Sequence, residues 1–304
     1  MRVSKLLVFF LLCIQWSWLQ ASDTKTTFDL KHACALGFVQ GFTEFLPVSS
    51  TGHMILLNDV FFRPPSTMSK VEQSRNASLL NHYVVCVQLG TILTLLLFYR
   101  REVWSIIKGV CGHDGAGLRL GLNVCLAFIP VGLAGFFLGD WIQLYLYNRI
   151  SVISAIFVGG LVIFWIEFHR ARARIRCDLS SMPIKVALGI GLLQMLALWP
   201  GLSRSLVTIA GGVLCGLSLV QAIHFSFLLG LLTSTVATSY QCLKHGAEML
   251  QTMEFLPICA GIIVAFVVGM ATIRLFFSYL KHRGLRLFAY YRVILALVFT
   301  FLTK

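Results

Sequence analysis

The chain has few charged residues and very few acidic ones. Only 12% of its 304 residues are Asp, Glu, Lys or Arg, whereas ordinary globular chains carry about 25%. At the same time 58% of the side chains are apolar. This balance argues against a soluble two-domain enzyme, and it excludes an intrinsically disordered chain, because disorder requires a low apolar content.

Paired cysteines and a concentrated basic surface are also missing. The nine cysteines include no Cys-x-x-Cys pair and mostly lie inside apolar runs, which predicts small core residues rather than a disulfide or zinc framework. The net charge of +13 comes from 25 Lys and Arg residues that are spread over short segments between apolar runs. That distribution is typical of a membrane protein with basic cytoplasmic loops, and it argues against a nucleic-acid partner.

The N-terminal segment has the order of a secretory signal peptide. Arg2 and Lys5 precede an apolar run over residues 6–14, and the small pair Ala21-Ser22 precedes a polar stretch. The apolar run is short for a membrane span, so we predict a removable signal peptide over residues 1–21. An uncleaved anchor is the alternative. Residues 22–304 are then predicted to form a single membrane domain.

Six further segments are long and apolar enough to cross a bilayer of about 30 Å as helices. They predict an all-α polytopic membrane protein with six transmembrane helices. These segments cover residues 82–99, 118–139, 150–167, 222–241, 255–279 and 288–302.

Two other apolar stretches, residues 30–60 and 184–221, are interrupted near their middle. The interruptions at residues 46–53 and 199–205 contain Pro, Gly and several hydroxyl side chains. A helix break at membrane depth is tolerated only where protein or a wet cavity satisfies the freed backbone groups. Each stretch is therefore predicted to be a re-entrant helical hairpin, which dips into the membrane and returns, with the break at its tip.

The two hairpins resemble each other at an offset of 154 residues. This offset aligns Gly37 with Gly191, Gln40 with Gln194 and Ser49 with Ser203, and three predicted spans follow each hairpin. The order predicts an internal repeat. Repeat one covers about residues 30–167, and repeat two covers about residues 184–302.

The basic residues predict the orientation of the chain. The loops at residues 100–119, 168–185 and 280–287 carry twelve Lys and Arg residues, against five on the opposite side. The positive-inside rule places the richer side in the cytoplasm. The first hairpin then enters from outside and the second from the cytoplasm, which is an inverted-topology repeat with a polar site expected near the midplane.

The hairpin tips carry the charged side chains that a membrane interior disfavours most. Glu44, His53 and Arg204 are the main ones, and Gln40 precedes Glu44 by one helical turn. A helix N-terminus with hydroxyls and a guanidinium is suited to an anion such as phosphate. The carboxylate can hold a cation or take a proton, so the pattern predicts phosphoryl transfer or hydrolysis. The residues predicted to contact phosphate are Ser49, Thr51, Gly52, Ser203, Arg204 and Ser205.

Two motifs closely resemble those of the bacterial undecaprenyl-diphosphate phosphatases, also called bacitracin-resistance proteins. They are Gln40-Gly-Phe-Thr-Glu44-Phe-Leu-Pro-Val-Ser-Ser-Thr-Gly-His53 and Pro200-Gly-Leu-Ser-Arg204-Ser205, and the likeness extends over residues 30–302. The resemblance implies an enzyme of the bacterial inner membrane. It would remove the terminal phosphate of undecaprenyl diphosphate and so recycle the lipid carrier for peptidoglycan synthesis and confer bacitracin resistance.

Site roles follow from the resemblance, residue by residue. Gln40 and Glu44 match a metal-binding pair, which implies Mg²⁺ or Ca²⁺ as cofactor. Ser50 and His53 match positions with nucleophilic or proton-transfer roles, and Arg204 matches the diphosphate-binding arginine. The implied pocket opens to the outer, periplasmic side, and the family architecture includes dimers, so a homodimer is a possible assembly.

Several alternatives stay open at this stage. A polyprenyl-phosphate transporter or flippase would share the architecture. A purely structural Glu44–Arg204 salt bridge would explain two of the buried charges. Ser50, His53 and water are all chemically feasible as the attacking group. Arg274 and Arg292 are interpreted as residues near span ends whose side chains reach the membrane surface.

Overall fold

The computed structural model describes residues 30–61, 70–169 and 179–302 of the chain. The signal peptide expected over residues 1–21 lies outside these ranges. Two short 3₁₀ turns, Leu179–Ser181 and Met195–Leu198, flank the seventh helix. The described α-helices are α1 (Leu30–Thr43), α2 (Ser50–Phe61), α3 (Lys70–Phe98), α4 (Arg100–Val110), α5 (Gly115–Leu146), α6 (Arg149–His169), α7 (Ile184–Gln194), α8 (Arg204–Leu214), α9 (Leu219–Thr252), α10 (Phe255–Arg283) and α11 (Arg286–Leu302).

Five helices of the described chain are long and apolar enough to cross a membrane, and they coincide with five of the six predicted spans. The sixth predicted span, residues 288–302, lies on α11, which has 17 residues and is shorter than the roughly 20 residues that usually cross a bilayer. The all-α polytopic membrane fold is therefore confirmed. The five spans are Leu80–Phe98, Gly115–Leu146, Arg149–Phe168, Leu219–Met249 and Phe255–Leu280.

The outer surface of these helices is apolar, as lipid contact requires. Phe136, Phe137, Leu144 and Phe168 are all largely exposed, although a soluble protein rarely leaves so many large apolar side chains uncovered. Hydrocarbon is as apolar as these side chains, so their exposure costs nothing in a bilayer. The surface of the protein therefore supports the membrane assignment independently of helix length.

Both predicted helix breaks are present. The first separates α1 from α2 over residues 44–49, and the second separates α7 from α8 through a 3₁₀ turn and residues 199–203. Helices α7 and α8 have 11 residues each, so neither is long enough to cross a bilayer alone. The chain thus forms two helical hairpins whose tips lie at the polar motifs.

One basic segment that the sequence analysis treated as a loop is partly helical. Residues 100–110 form α4, which packs against α5. The turn between them is closed by Asp114, whose carboxylate accepts hydrogen bonds from the Ser105 hydroxyl and from the backbone amides of Ala116 and Gly117. These hydrogen bonds, that of Ser105 first, lower the pKa of Asp114. The carboxylate caps α5 and fixes the course of the chain between two helices.

The hairpin of each predicted repeat packs against a long helix of the other. Helix α1 contacts α10, and helix α7 contacts α5. Gly37 on α1 lies against the backbone of Gly261, and Gly191 on α7 lies against the backbone of Ala127, so closely that a Cβ atom would not fit at either glycine. Gly37 and Gly191 are the pair aligned by the 154-residue offset. This exchange is what an internal repeat would produce, and the repeat boundaries stay a prediction.

Candidate active site

Two polar side chains near the first hairpin tip donate hydrogen bonds to one carboxylate. Gln40 and Glu44 share a face at the end of α1, and the Gln40 amide donates a hydrogen bond to Glu44 Oε2 over 3.0 Å. Ser50, the first residue of α2, donates its hydroxyl to the same oxygen over 2.6 Å. The helix break therefore brings a hydroxyl from α2 back to a carboxylate at the end of α1.

Each tip ends on a serine in the left-handed backbone region. Ser49 has φ 73° and Ser203 has φ 82°, values that are uncommon for a residue with a Cβ atom. The Ser49 hydroxyl accepts the amide of Gly52 over 3.1 Å, and the Ser203 hydroxyl accepts the amide of Leu206 over 3.4 Å. The two aligned serines thus begin α2 and α8 with the same helix cap.

The two tips meet through an ion pair. The guanidinium of Arg204, at the start of α8, lies 2.8 Å from Glu44 Oε1. Their side chains are only 17% and 9% exposed, so the pair is largely buried. Helix α9 supports the guanidinium through the Ser226 carbonyl and the Ser234 hydroxyl, each at 3.4 Å. Glu44, Ser50 and Arg204 therefore form one connected network.

His53 is bound on both ring nitrogens. Its Nδ1 lies 2.6 Å from the carbonyl oxygen of Ser49, and its Nε2 lies 2.7 Å from the hydroxyl of Tyr291 on α11. A carbonyl oxygen only accepts, so Nδ1 carries a proton. The neutral ring then accepts the Tyr291 hydroxyl hydrogen at Nε2. The imidazole also stacks on the Tyr291 ring, which fixes its orientation one turn after Ser50.

The remaining predicted phosphate contacts differ in their surroundings. Ser205 is buried, and its hydroxyl lies 3.3 Å from the Leu46 carbonyl oxygen of the other tip, to which it donates. Thr51 is exposed, and Gly52 packs against the side chain of Ile156. Ser49 and Ser203 use their hydroxyls as helix caps. These contacts explain local structure, and the phosphate-binding roles of the four serine and threonine hydroxyls stay a prediction.

Arg292 is the principal structural residue that the sequence analysis misinterpreted. The expectation that it reaches the membrane surface is wrong, because its side chain is fully buried. It donates hydrogen bonds to the carbonyl oxygens of Pro47 at 3.2 Å and Gly201 at 2.8 Å, one in each hairpin tip. It also binds the carbonyls of Ala155 and Ile156 on α6. The only signal in the sequence was an arginine within an apolar helix.

We expect Arg292→Met to destabilise the protein without touching the ion pair. Methionine has a similar length but leaves the Pro47 and Gly201 carbonyls without their donor. Hydrogen bonds to a charged group contribute about 1.5–3 kcal/mol each, so the unfolding midpoint in detergent should fall by roughly 10 °C. Arg274→Met is the matched control, since Arg274 is exposed on α10. Equal midpoints for the two variants would contradict the assigned role of Arg292.

Comparison with known proteins gives a family match over most of the chain. Residues 33–298 match the family described as bacitracin resistance protein BacA. An undecaprenyl-diphosphatase of Clostridium tetani is 35% identical over 266 residues, which is 88% of this chain and 93% of that protein. An undecaprenyl-diphosphatase of Methylococcus capsulatus is 36% identical over 89% of this chain and 93% of that protein. Undecaprenyl-diphosphatase 3 of Acinetobacter baylyi is 33% identical, with 88% and 96% covered.

Proposed function

This chain belongs to the bacitracin resistance protein BacA family, and on that premise we propose that it is an integral-membrane undecaprenyl-diphosphatase. It hydrolyses undecaprenyl diphosphate to undecaprenyl phosphate and inorganic phosphate. The relatives that match almost its whole length are named for this activity, which favours the phosphatase over the transporter or flippase. Release of the monophosphate carrier links the activity to peptidoglycan synthesis and to bacitracin resistance.

The observation that carries this function is the meeting of Arg204, Glu44 and Ser50 at the hairpin tips. A guanidinium binds phosphate oxygens in a forked geometry and offsets their charge. The N-termini of α2 and α8 lie at the same tips, and helix N-termini favour anions. Glu44 is within hydrogen-bond distance of the Ser50 hydroxyl and of Arg204. A diphosphate that draws Arg204 away from Glu44 would therefore leave a carboxylate poised beside a hydroxyl.

We propose that Ser50 is the attacking group. Its Oγ bonds to the terminal phosphorus while its proton passes to Glu44. The bond between that phosphorus and the bridging oxygen breaks, and undecaprenyl phosphate leaves with the bridging oxygen. Water then attacks the phosphoserine, the bond between phosphorus and Ser50 Oγ breaks, Glu44 returns its proton to Oγ, and inorganic phosphate leaves. Arg204 offsets the charge that develops on the phosphoryl oxygens, and His53, held by Tyr291, is assigned to proton transfer.

A divalent cation would fit the Gln40–Glu44 pair once the Gln40 amide turned its oxygen, instead of its donating nitrogen, toward Glu44 and Arg204 released Glu44 Oε1. The pair offers one carboxylate and one amide, and Mg²⁺ is usually held by one or two carboxylates together with substrate phosphates. Ca²⁺ accepts the same oxygen ligands. When bound, the cation would supply positive charge close to the phosphate oxygens. The competition between Arg204 and a cation for Glu44 predicts that the cation binds together with the substrate.

The proposed setting is the bacterial inner membrane, with the site open to the periplasmic side and a homodimer as a possible assembly. The multi-pass fold supports the membrane setting, and the distribution of basic residues supports the orientation. An apolar pocket beside the first tip is lined by Phe42, Leu46, Phe276 and Tyr291 among others. We propose that it receives the first isoprene units of the substrate, which would place the diphosphate at Arg204.

Purified protein is expected to release inorganic phosphate from undecaprenyl diphosphate in detergent or liposomes. Chelation of divalent cations should abolish the release, and added Mg²⁺ or Ca²⁺ should restore it. Liposomes that contain labelled lipid separate the two functions, because a flippase moves lipid between leaflets without producing phosphate. Lipid movement with no phosphate release would reject the phosphatase assignment.

Ser50→Ala is expected to lower kcat by about 100-fold or more, because the proposed attacking hydroxyl is lost. Wild-type protein quenched in acid during turnover should carry phosphate on Ser50, which mass spectrometry can locate. Ser154→Ala is the control, since Ser154 is an exposed hydroxyl on α6. Phosphate on the wild-type chain at another residue, or near-normal kcat in Ser50→Ala, would exclude Ser50 as the nucleophile.

A further inference from the structure

A second cluster of metal-ligating side chains, which shares no residue with the hairpin tips, lies between α3 and α9. His82 lies near the start of the membrane-spanning part of α3, and His245 and Glu248 lie in the last turns of α9. One ligand atom from each of the three residues lies within 4.8 Å of the other two. The cluster therefore joins two helices that are distant in sequence.

The distances within the cluster suit an ion better than direct hydrogen bonds. His82 Nε2 and His245 Nδ1 each lie 3.8 Å from Glu248 Oε2, which is longer than a hydrogen bond. Ligands bound to zinc at about 2.0–2.1 Å in a tetrahedral site are about 3.3 Å apart. The two imidazole nitrogens lie within 4.8 Å of each other, so zinc spacing requires rotations of the Glu248 and His245 side chains, both of which are partly exposed.

His82 contributes a buried ligand to the cluster. The side chain of His82 is only 8% exposed, and its Nδ1 is buried without a hydrogen-bond partner in the part of the chain that the structure describes. A buried polar nitrogen without a partner is costly. The nitrogen that faces Glu248 is Nε2, so coordination at the cluster leaves Nδ1 as it is; it would fix the orientation of a ring that the protein already holds buried in the interface.

The position of the cluster indicates that a bound ion would hold helices α3 and α9 together. Near the opposite end of the same helix pair, the hydroxyl of Tyr99, the residue that follows α3, lies 2.9 Å from His224 Nδ1 of α9. The 17 residues from His82 to Tyr99 correspond to about 25 Å of helix. The pair is thus joined by a hydrogen bond at one end and by the cluster at the other. Helix α9 also supports Arg204 through Ser226 and Ser234.

We propose that His82, His245 and Glu248 bind a divalent transition-metal ion of the zinc type, which fastens α9 to α3. Two imidazoles and one carboxylate form a ligand set that zinc accepts, with a further position for water. Imidazole ligands do not suit Mg²⁺ or Ca²⁺, which prefer oxygen. The site is therefore chemically distinct from the Gln40–Glu44 pair, and it does not depend on the proposed function.

The test uses full-length protein in detergent, purified without a polyhistidine tag and stripped with a chelator. Titration with Zn²⁺ against a chromogenic chelator is expected to give one ion per chain. The double variant His245→Ala, Glu248→Gln should bind at least about 10-fold more weakly, and Zn²⁺ should raise the unfolding midpoint of the wild type but not of this variant. The changed residues are partly exposed, so the variant is expected to fold.

Two controls locate the ion. His113→Ala removes an exposed histidine from the turn between α4 and α5 and should bind Zn²⁺ like the wild type. Glu44→Gln should also keep Zn²⁺ binding, although it removes the proposed catalytic carboxylate. Loss of binding in Glu44→Gln would place the ion at the hairpin tips and overturn the proposal. Undiminished binding in the double variant, or no stoichiometric binding by the wild type, would overturn it as well.

Discussion

Arg204→Lys is expected to lower kcat/KM for undecaprenyl diphosphate by about 100-fold or more, because one of the main transition-state contacts is lost. Lysine retains the charge, so the buried Glu44 carboxylate keeps a cation nearby. It lacks the planar fork of donors that can bind phosphate oxygens while α9 holds the rest of the group. Phosphate-release kinetics measure the effect, and circular dichroism checks that the helices are retained.

Exchanging the charges of Glu44 and Arg204 tests whether their ion pair serves catalysis or only holds the hairpin tips together. Each single substitution, Glu44→Arg or Arg204→Glu, places like charges together in a buried position and should be strongly destabilising. The double variant restores an ion pair between the tips, so its unfolding midpoint should recover relative to both single variants. Its activity should stay absent, because a carboxylate on α8 repels the diphosphate. Recovery of activity together with stability would show that the pair is purely structural.

Gly230→Ala is expected to abolish most of the activity while leaving the fold intact. Gly230 lies on α9 directly against the guanidinium of Arg204, and a Cβ atom at this position would overlap the terminal nitrogen Nη1 of that group. The end of a flexible side chain moves more easily than a helix, so the methyl group should displace the guanidinium rather than separate α9 from α8. Alanine also favours the helix by about 1 kcal/mol over glycine. We expect about 100-fold lower kcat/KM, similar to Arg204→Lys.

Gly246→Ala is the matched control for this prediction. Gly246 lies on the same helix, and a Cβ atom there would meet no other atom within 4 Å. Gly246→Ala should unfold at or slightly above the wild-type temperature, Gly230→Ala should unfold below it because the buried Glu44–Arg204 pair is disturbed, and only Gly230→Ala should lose activity. An active Gly230→Ala enzyme would mean that the position of the Arg204 guanidinium does not limit the reaction.

The parts of the fold that depend on local composition were predictable. The five spans follow from long apolar runs, because the bilayer selects for them directly. The two helix breaks follow from Pro, Gly and hydroxyl residues inside apolar stretches, and the polar side chains at the breaks include the charges that the structure brings together. The contact between Glu44 and Arg204 was inferred from the whole sequence. The distribution of basic residues predicts that two similar hairpins enter the membrane from opposite sides, and their order along the chain pairs them as parts of a repeat.

The contacts that the sequence did not predict all join distant segments. Nothing local to Tyr291 indicates that its hydroxyl binds His53, 238 residues earlier in the chain. Arg292 looked like a residue near a span end, since a pattern of hydropathy does not tell which carbonyl oxygens lie beside a helix. The short helix α4 was missed because its 11 residues, four of them charged, are too short and too polar for a span. The individual partners therefore required the three-dimensional arrangement.

The hydrogen bonds from Arg292 to both hairpin tips restrict the motion of the two halves of the protein relative to each other. One side chain of α11 binds a backbone carbonyl of each tip together with two carbonyls of α6. Parting the two halves by a rocking motion would take the buried guanidinium from the carbonyls of Pro47, Ala155 and Ile156 and leave it only that of Gly201, which is costly in a medium of low polarity. We therefore expect the arrangement of the two tips to be retained during turnover, with the substrate moving relative to it.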